Sequence, residues 1–476
     1  MKNWLKNYLP LIILMFYAVF RLGLLLYFQW DELSSNPDLF VEHDREFYSV
    51  ANNLLHYGQY NVGKDCPPYS VRPPGYPLLV LTTMVLGHQY WLHLLFMFHI
   101  LFVVVATAVT YFIVSRMRSQ NAGLFAGFLV ASYAPYHYVT FMMLREITTL
   151  MLFSLLLLLL YSRNYRKWSF IGMGTLLGCM SMVREETVLL IVPCIVAIFW
   201  HEGKFELRKW RKPVFKTAAM LGIIMLVLSP WIIRNAIVFK RFQMFSALGG
   251  IQLYMGNNPD IGPGKPLNYG YISTVEELKT MPDVEVSRIY FNKAVDFAAN
   301  NPGKVVKNIF WKLELLYEET INNFNDYIFL LCGLLAGTLI IVIAKIKNEW
   351  GRRCGLLAGV AFLYVWGRGE FSQGLFLPNI EFSIIRTIGF IGFFYVLFKK
   401  QEPVYCLCYL MLLSANIIFL PQHRQRWIMD LLFILWNVLV VYDVLKFIEG
   451  RVKIFLFKEP DKDLPEKFEH GSIKEL

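Results

Sequence analysis

The sequence is poor in charge. Only 17% of its 476 residues are Asp, Glu, Lys or Arg, while 56% are hydrophobic. That balance excludes a soluble globular chain of this length. Cysteine is also scarce, at seven. Cys66 alone falls in a polar segment; Cys179, Cys194, Cys332, Cys354, Cys406 and Cys408 fall in or near apolar runs, so no disulfide or metal framework is visible. Cys406 and Cys408 are two apart, which is no spacing for a thiol redox pair on a helix. There is no glycine-rich phosphate cradle of the kind a nucleotide site uses. No small-residue cleavage pattern follows the first apolar run, which reads as a retained span rather than a removed signal peptide.

What the chain has is apolar runs, recurring along nearly its whole length. They place spans at roughly 9–29, 90–114, 121–137, 140–161, 169–184, 187–201, 217–236, 326–344, 354–367, 383–398, 404–420 and 427–448. The fold class is an all-α polytopic membrane protein of about twelve transmembrane helices. The net charge of +11 is carried mainly by short loops: Lys2 and Lys6, Arg116 and Arg118, Arg163 to Lys167, Lys204 to Lys216, Lys345 to Arg353, and Lys399 with Lys400. The positive-inside rule puts all of these on the cytoplasmic side, with both termini. The basic residues are scattered over separate loops, so no nucleic-acid partner is expected. A tail over 449–476 is short, charged and expected to be cytoplasmic.

This topology leaves two long segments outside, about 30–89 and 237–325. Segments of that length in a compact protein tend to carry function. In the first, HDREFYSVANNLL (43–55) reads as an amphipathic helix with Phe47, Val50, Ala51, Leu54 and Leu55 on one face and Gly58 as its stop. Asp44 precedes the stripe. It either caps the helix or, sharing a face with Tyr48 four residues on, serves as a general base. Glu46 is a rival acid on another face, and His43 is a neighbour. SVRPPGYPLLV (70–80) follows, with Pro73, Pro74, Gly75 and Pro77 fixing the chain around Arg72 and Tyr76. A guanidinium held there either snorkels at the interface or binds a phosphate. In the second outer segment, Leu278–Asn300 and Pro302–Glu319 read as amphipathic helices at the membrane surface.

Further ionisable residues gather at span ends on the same side. Arg145 and Glu146 open the fourth span. Arg184, Glu185 and Glu186 lie between the fifth and sixth. PWIIRN closes the seventh with Arg234 and Asn235, and HRQR opens the twelfth with His423, Arg424 and Arg426. Charges in hydrocarbon are costly, so their convergence on one side points to a site. Arg21, inside the first span, needs a partner within the bundle.

The order of these motifs resembles a known family. An acid four residues before a tyrosine is followed by RPPGYP, by an acid heading the fourth span, by VRE, by PWIIRN and GIQLYMGNNP (250–259), and by paired arginines before the last span. Over roughly residues 10–445 this resembles the GT-C glycosyltransferase superfamily, in its protein mannosyltransferase-like and aminoarabinose transferase-like branch. The resemblance implies an integral membrane glycosyltransferase of the cell envelope, with residues 1–448 as the catalytic domain. It implies transfer of a sugar from a polyprenyl-phosphate donor to a hydroxyl acceptor on a lipid, glycan or protein, at the outer face and with inversion. It carries the acid–base role to Asp44 and the donor-phosphate role to Arg72, with Arg424 and Arg426 assisting. Some relatives bind a divalent metal. Val71, the residue before the matched arginine, is no ligand, so a divalent metal has no clear ligand set here. Two alternatives remain: an oligosaccharide ligase or polymerase using a lipid-diphosphate donor, and a polytopic transporter or flippase. The second would call for internal repeats and ionisable or broken helices at mid-membrane; no clear repeat is visible, and the polar residues gather at one face.

Overall fold

The structure is a computed structural model that describes residues 2–41, 45–64, 66–161, 165–202, 210–262, 281–317, 385, 389, 391–399, 402–419 and 423–457. Those residues form helices joined by turns, and the chain is a multi-pass membrane protein. The elements are α1 (Lys2–Ser35), α2 (Asp38–Val41), α3 (Arg45–Tyr57), α4 (Gly75–Gly87), α5 (Trp91–Met117), α6 (Gln120–Ser132), α7 (Ala134–Thr140), α8 (Glu146–Leu160), α9 (Ser169–Val183), α10 (Ile191–Glu202), α11 (Arg211–Phe239), α12 (Leu248–Gly256), α13 (Asp283–Asn300), α14 (Pro302–Tyr317), α15 (Pro403–Ile418) and α16 (His423–Phe457).

The expected spans from 9–29 to 217–236 all coincide with helices, as do 404–420 and 427–448. The span at 121–137 is α6 and α7, broken at Tyr133 with Pro135 restarting the chain. The spans at 326–344 and 354–367 lie outside the described residues, as does most of 383–398, so the count of twelve rests on the sequence. The last helix runs on to Phe457, past the tail boundary expected at 449.

Helix α5 lies at the centre, packed on α1, α4, α6 and α8, while α9 sits between α8 and α11. Small residues allow the close approach of α6 to α5. A Cβ at Gly123 would meet the Tyr111 carbonyl oxygen at 2.7 Å, and one at Gly127 the Thr107 carbonyl oxygen at 3.4 Å. The outward sides stay apolar, as a bilayer requires: Phe215, Leu226, Ile233 and Ile237 of α11 are all exposed.

The first outer segment folds as three helices, α2 to α4. Helix α3 buries Phe47, Val50 and Ala51, and Gly58 ends it with φ of 65°. Leu55, assigned to the apolar stripe, is exposed. Helix α4 is apolar but is not a crossing of its own. It packs on α3 and α5, and the chain turns through His88–Tyr90, where His88 takes φ of 46°. In the second outer segment α13 and α14 match the two expected amphipathic helices.

Candidate active site

Of the polar residues named from the sequence, Arg72, Arg145, Glu146 and Arg184 lie where the first outer segment reaches the ends of α8 and α9. Gly75 makes the meeting possible. A Cβ there would lie 2.6 Å from the Met182 carbonyl oxygen, so only glycine lets α4 begin against the end of α9.

Arg72 sits just before that contact and is buried. Its Nε donates to Glu46 Oε2 at 2.7 Å, its guanidinium lies over the Phe47 ring at 5.3 Å, and Tyr69 donates to the same Glu46 oxygen at 2.8 Å. The acid that faces Arg72 is therefore Glu46, on the first turn of α3. Asp44 lies outside the described residues.

The backbone of residues 69–72 is held from several directions. Asp283 Oδ2, at the start of α13, accepts the Ser70 N–H at 2.7 Å, and the Ala247 N–H donates to the Ser70 carbonyl at 2.8 Å. Arg234 Nη1 donates to the Tyr69 carbonyl at 2.9 Å and Nη2 to the Tyr60 carbonyl at 3.1 Å. The Tyr60 hydroxyl donates to the Arg72 carbonyl at 3.0 Å. Asn235 accepts from Arg234 Nη1 and is itself buried. Arg234 and Asn235 thus support the Arg72 loop, and three aromatic rings flank the Arg234 guanidinium: Tyr60, Trp231 and Phe239. Burial raises the Asp283 carboxyl to about 6 against an ordinary 3.8, even though Ser70 and Arg234 pull it down.

Beside this loop lies a buried ion cluster. Arg184 is 2% exposed; its Nε donates to Glu186 Oε1 at 2.6 Å and its Nη1 is 3.6 Å from Glu146 Oε1. Burial by itself would raise the Glu186 carboxyl, but Arg184 and then Arg145 outweigh it and hold it at about 2. Glu185 faces away, toward the second outer segment. Its two oxygens accept from the Ser246 N–H at 2.8 Å and the Ser246 hydroxyl at 2.7 Å, and burial holds its carboxyl above the usual range. Glu146 and Glu186 thus both face Arg184, while Glu185, next to Arg184 in the chain, reaches Ser246 instead.

Two candidates are turned elsewhere. Tyr48 stacks on Trp91 at 5.5 Å between ring centroids. Tyr76 is fully buried, its ring edge-on to Phe47 and its hydroxyl 3.3 Å from His99 Nε2. Both tyrosines pack the first outer segment onto α5. His423, Arg424 and Arg426 lie on the first turn of α16, and their side chains lie outside the described residues. Among the described residues no cluster of three or more His, Cys, Asp or Glu has the arrangement of a metal site. Sequence reasoning missed Glu46 as the partner of Arg72, together with Asp283 and Ser246. Each pairing joins residues far apart in the chain, so no local spacing marks it.

A groove of about 800 Å³ opens beside the loop, lined by Leu54, Leu78 and Val238 and carrying Lys64 and Arg234 among its polar residues. It combines apolar wall with positive charge.

Residues 71–233 match the model of the family described as dolichyl-phosphate-mannose-protein mannosyltransferase. The match opens one residue before Arg72 and closes one before Arg234. No curated protein matches the chain. Among solved structures, the oligosaccharyltransferase of Archaeoglobus fulgidus, tethered with an acceptor peptide, is similar with a TM-score of 0.47 and 12% identity, over 98% of this chain and 53% of that one. This chain thus spans about half the length of that enzyme. ArnT from Cupriavidus metallidurans bound to undecaprenyl phosphate has a TM-score of 0.35 and 12% identity, over 87% of this chain and 76% of that one. Residues 71–233, about a third of the chain, are thus similar to the dolichyl-phosphate-mannose-protein mannosyltransferase family.

Proposed function

We propose that the protein transfers a single sugar from a polyprenyl-phosphate donor to a hydroxyl acceptor at the outer face of the plasma membrane, with both termini cytoplasmic. The observation that carries this reading is the buried set of arginines, Arg72, Arg145 and Arg184, where the first outer segment meets α8 and α9. A fixed guanidinium stabilises charge that grows on a departing phosphate, and does so more strongly out of water. The adjoining groove supports a lipid carrier, since its apolar wall suits a prenyl chain and Lys64 and Arg234 suit an anion.

In this mechanism the acceptor oxygen attacks the anomeric carbon as the bond from that carbon to the phosphate oxygen breaks. The bond pair leaves with polyprenyl phosphate, and the anomeric centre inverts. Asp44 takes the acceptor proton as general base. Arg72 faces the carrier phosphate, with Arg424 and Arg426 of the last helix assisting. Glu46 and Asp283 orient Arg72 from two sides, the first through its guanidinium and the second through the Ser70 backbone.

The test is a panel of polyprenyl-phosphate sugars offered to wild type and to Arg72→Ala with cell-envelope extract as acceptor source. Donor KM should rise about tenfold or more in the variant, in line with loss of a charge-assisted phosphate contact. An unchanged donor dependence would remove Arg72 from the phosphate site.

A further inference from the structure

The stretch GIQLYMGNNP (250–259) has no part in the mechanism above. Most of it lies on α12, which at nine residues is about 13 Å long. One end of α12 is tied to the Arg72 loop: the Ala247 N–H donates to the Ser70 carbonyl, and Ser246 donates to Glu185. Its flank lies against α13, where a Cβ at Gly250 would overlap the Ser287 carbonyl and the Gly250 N–H donates to Ser287 Oγ at 3.1 Å. The other end reaches a different part of the bundle. Asn257 Nδ2 donates to the Ile418 carbonyl at 2.9 Å, in the last turn of α15. Lys312 of α14 joins it there, donating from Nζ to the Ile417 carbonyl at 3.0 Å, and Lys304 of α14 donates to the Pro259 carbonyl at 2.6 Å. The last carbonyls of a helix have no partner within it, so the second outer segment caps α15 with two side chains. One of them is costly. Lys312 is 2% exposed and pairs with no carboxylate among the described residues, and burial pushes its ammonium down to about 8 against an ordinary 10.5. An apolar side chain of that length would be cheaper for folding alone.

We propose that Asn257 and Lys312 are positioning residues, which clasp the outer end of α15 and through it set the start of α16, with Arg424 and Arg426. Only residues 419–422 separate the two helices, so a shift at Ile418 passes into the first turn of α16. The rest of α16 is held from the other side: Tyr136 donates to the Trp427 carbonyl at 2.9 Å and Tyr133 to Asp430 Oδ2 at 2.8 Å. With α12 as a strut, the end of α15 is referred to the Ser70 backbone, two residues from Arg72. The role of the two last-helix arginines rests on the donor reading above; the clasp on α15 does not.

The experiment compares wild type, Asn257→Leu, Lys312→Met and the double variant in nanodiscs, by hydrogen exchange at the end of α15 and by transfer from polyprenyl-phosphate sugars. Exchange in the last turn of α15 should rise at least about tenfold in the double variant, with each single variant in between. Lys312→Met should nevertheless melt no lower than wild type, because a buried charge has been removed. In the double variant kcat should fall about tenfold with donor KM little changed, the pattern of a group misplaced in the transition state. In a protein already carrying Arg424→Ala and Arg426→Ala, the same two substitutions should lower kcat no further, because they act through those arginines. Exchange unchanged in the double variant would overturn the clasp. A kcat equal to wild type, or a loss that adds in full to that of the arginines, would overturn the positioning role. The donor reading fails separately: wild type that moves sugar from no polyprenyl-phosphate donor, while exchange responds as expected, would refute transfer and leave the clasp standing.

Discussion

The two ends of the helix bundle both carry arginine–carboxylate pairs, and they use them differently. At the end away from the outer segments, Arg118 donates to Asp443 Oδ2 at 2.7 Å, Tyr395 donates to the same oxygen at 2.6 Å, and Lys216 pairs with Glu202. The acid of each pair keeps part of its side chain in contact with solvent, 27% for Asp443 and 19% for Glu202. These contacts tie neighbouring helix ends together. At the other end the acids paired with Arg72 and Arg184 include Glu46 and Glu186, exposed at 39% and 20%, but one pair, Arg184 and Glu146, is 2% and 5% exposed, and two segments more than 200 residues apart in the chain meet at Ser70 and Asp283. Ion pairs on a rim cost little and contribute little, whereas buried ones are expensive and are kept for a reason. The buried Arg184–Glu146 pair is what favours the second end in the proposed mechanism.

Substitutions at the two ends should differ accordingly. The largest effect is expected from Asp44→Asn, which should lower transfer by about a hundredfold or more while the protein still retains its lipid, the loss typical of a missing general base. Turnover at the wild-type rate would remove Asp44 from the mechanism. Next is Arg184→Ala. It strands Glu146 and Glu186 in the interior and should destabilise the protein by about 3–5 kcal/mol, seen as a lowered thermal midpoint. A midpoint unchanged from wild type would mean that water reaches the cluster.

A smaller effect concerns the contact between the outer segments. The Asp283 carboxyl titrates near 6 when docked and at 3.8 when solvated. The docked segment therefore holds the proton more tightly. Its added stability is complete below about pH 4 and is lost as pH rises through about 6. Asp283→Asn should make docking independent of pH over that range. Hydrogen exchange at the Ser70 amide, corrected for its intrinsic rate, reads this directly, and a wild-type profile that Asp283→Asn reproduces would contradict it. The smallest effect is expected at the opposite rim. Arg118→Ala should cost no more than about 1 kcal/mol and leave transfer as it was. A large loss of transfer there would erase the distinction between the two ends.

Much of the scaffold was legible in the sequence because its cues are local. Gly58 marked the stop of α3, the prolines and Gly75 marked the start of α4, and apolar periodicity marked α13 and α14. The approach of Glu146 to Arg184 was legible too, since topology alone puts those span ends on one side, whereas Glu185 turns to Ser246. What stayed hidden depends on tertiary packing. The stacking of Tyr48 on Trp91 had no local cue. Tyr76 lay in the recognisable motif, yet its hydroxyl is turned to His99 in the core. Glu46 meets Arg72 across 26 residues and Asp283 meets Ser70 across 213, separations over which no spacing rule operates.

The central claim is that this buried arginine end moves a sugar off a lipid phosphate. It is tested most directly by incubating purified wild type and Asp44→Asn, in nanodiscs, with a panel of polyprenyl-phosphate sugars and cell-envelope extract, and following the donors by mass spectrometry. Conversion of one donor to free polyprenyl phosphate by wild type, and not by Asp44→Asn, is the predicted result. Persistence of every donor with wild type, or equal conversion by both proteins, would contradict the account.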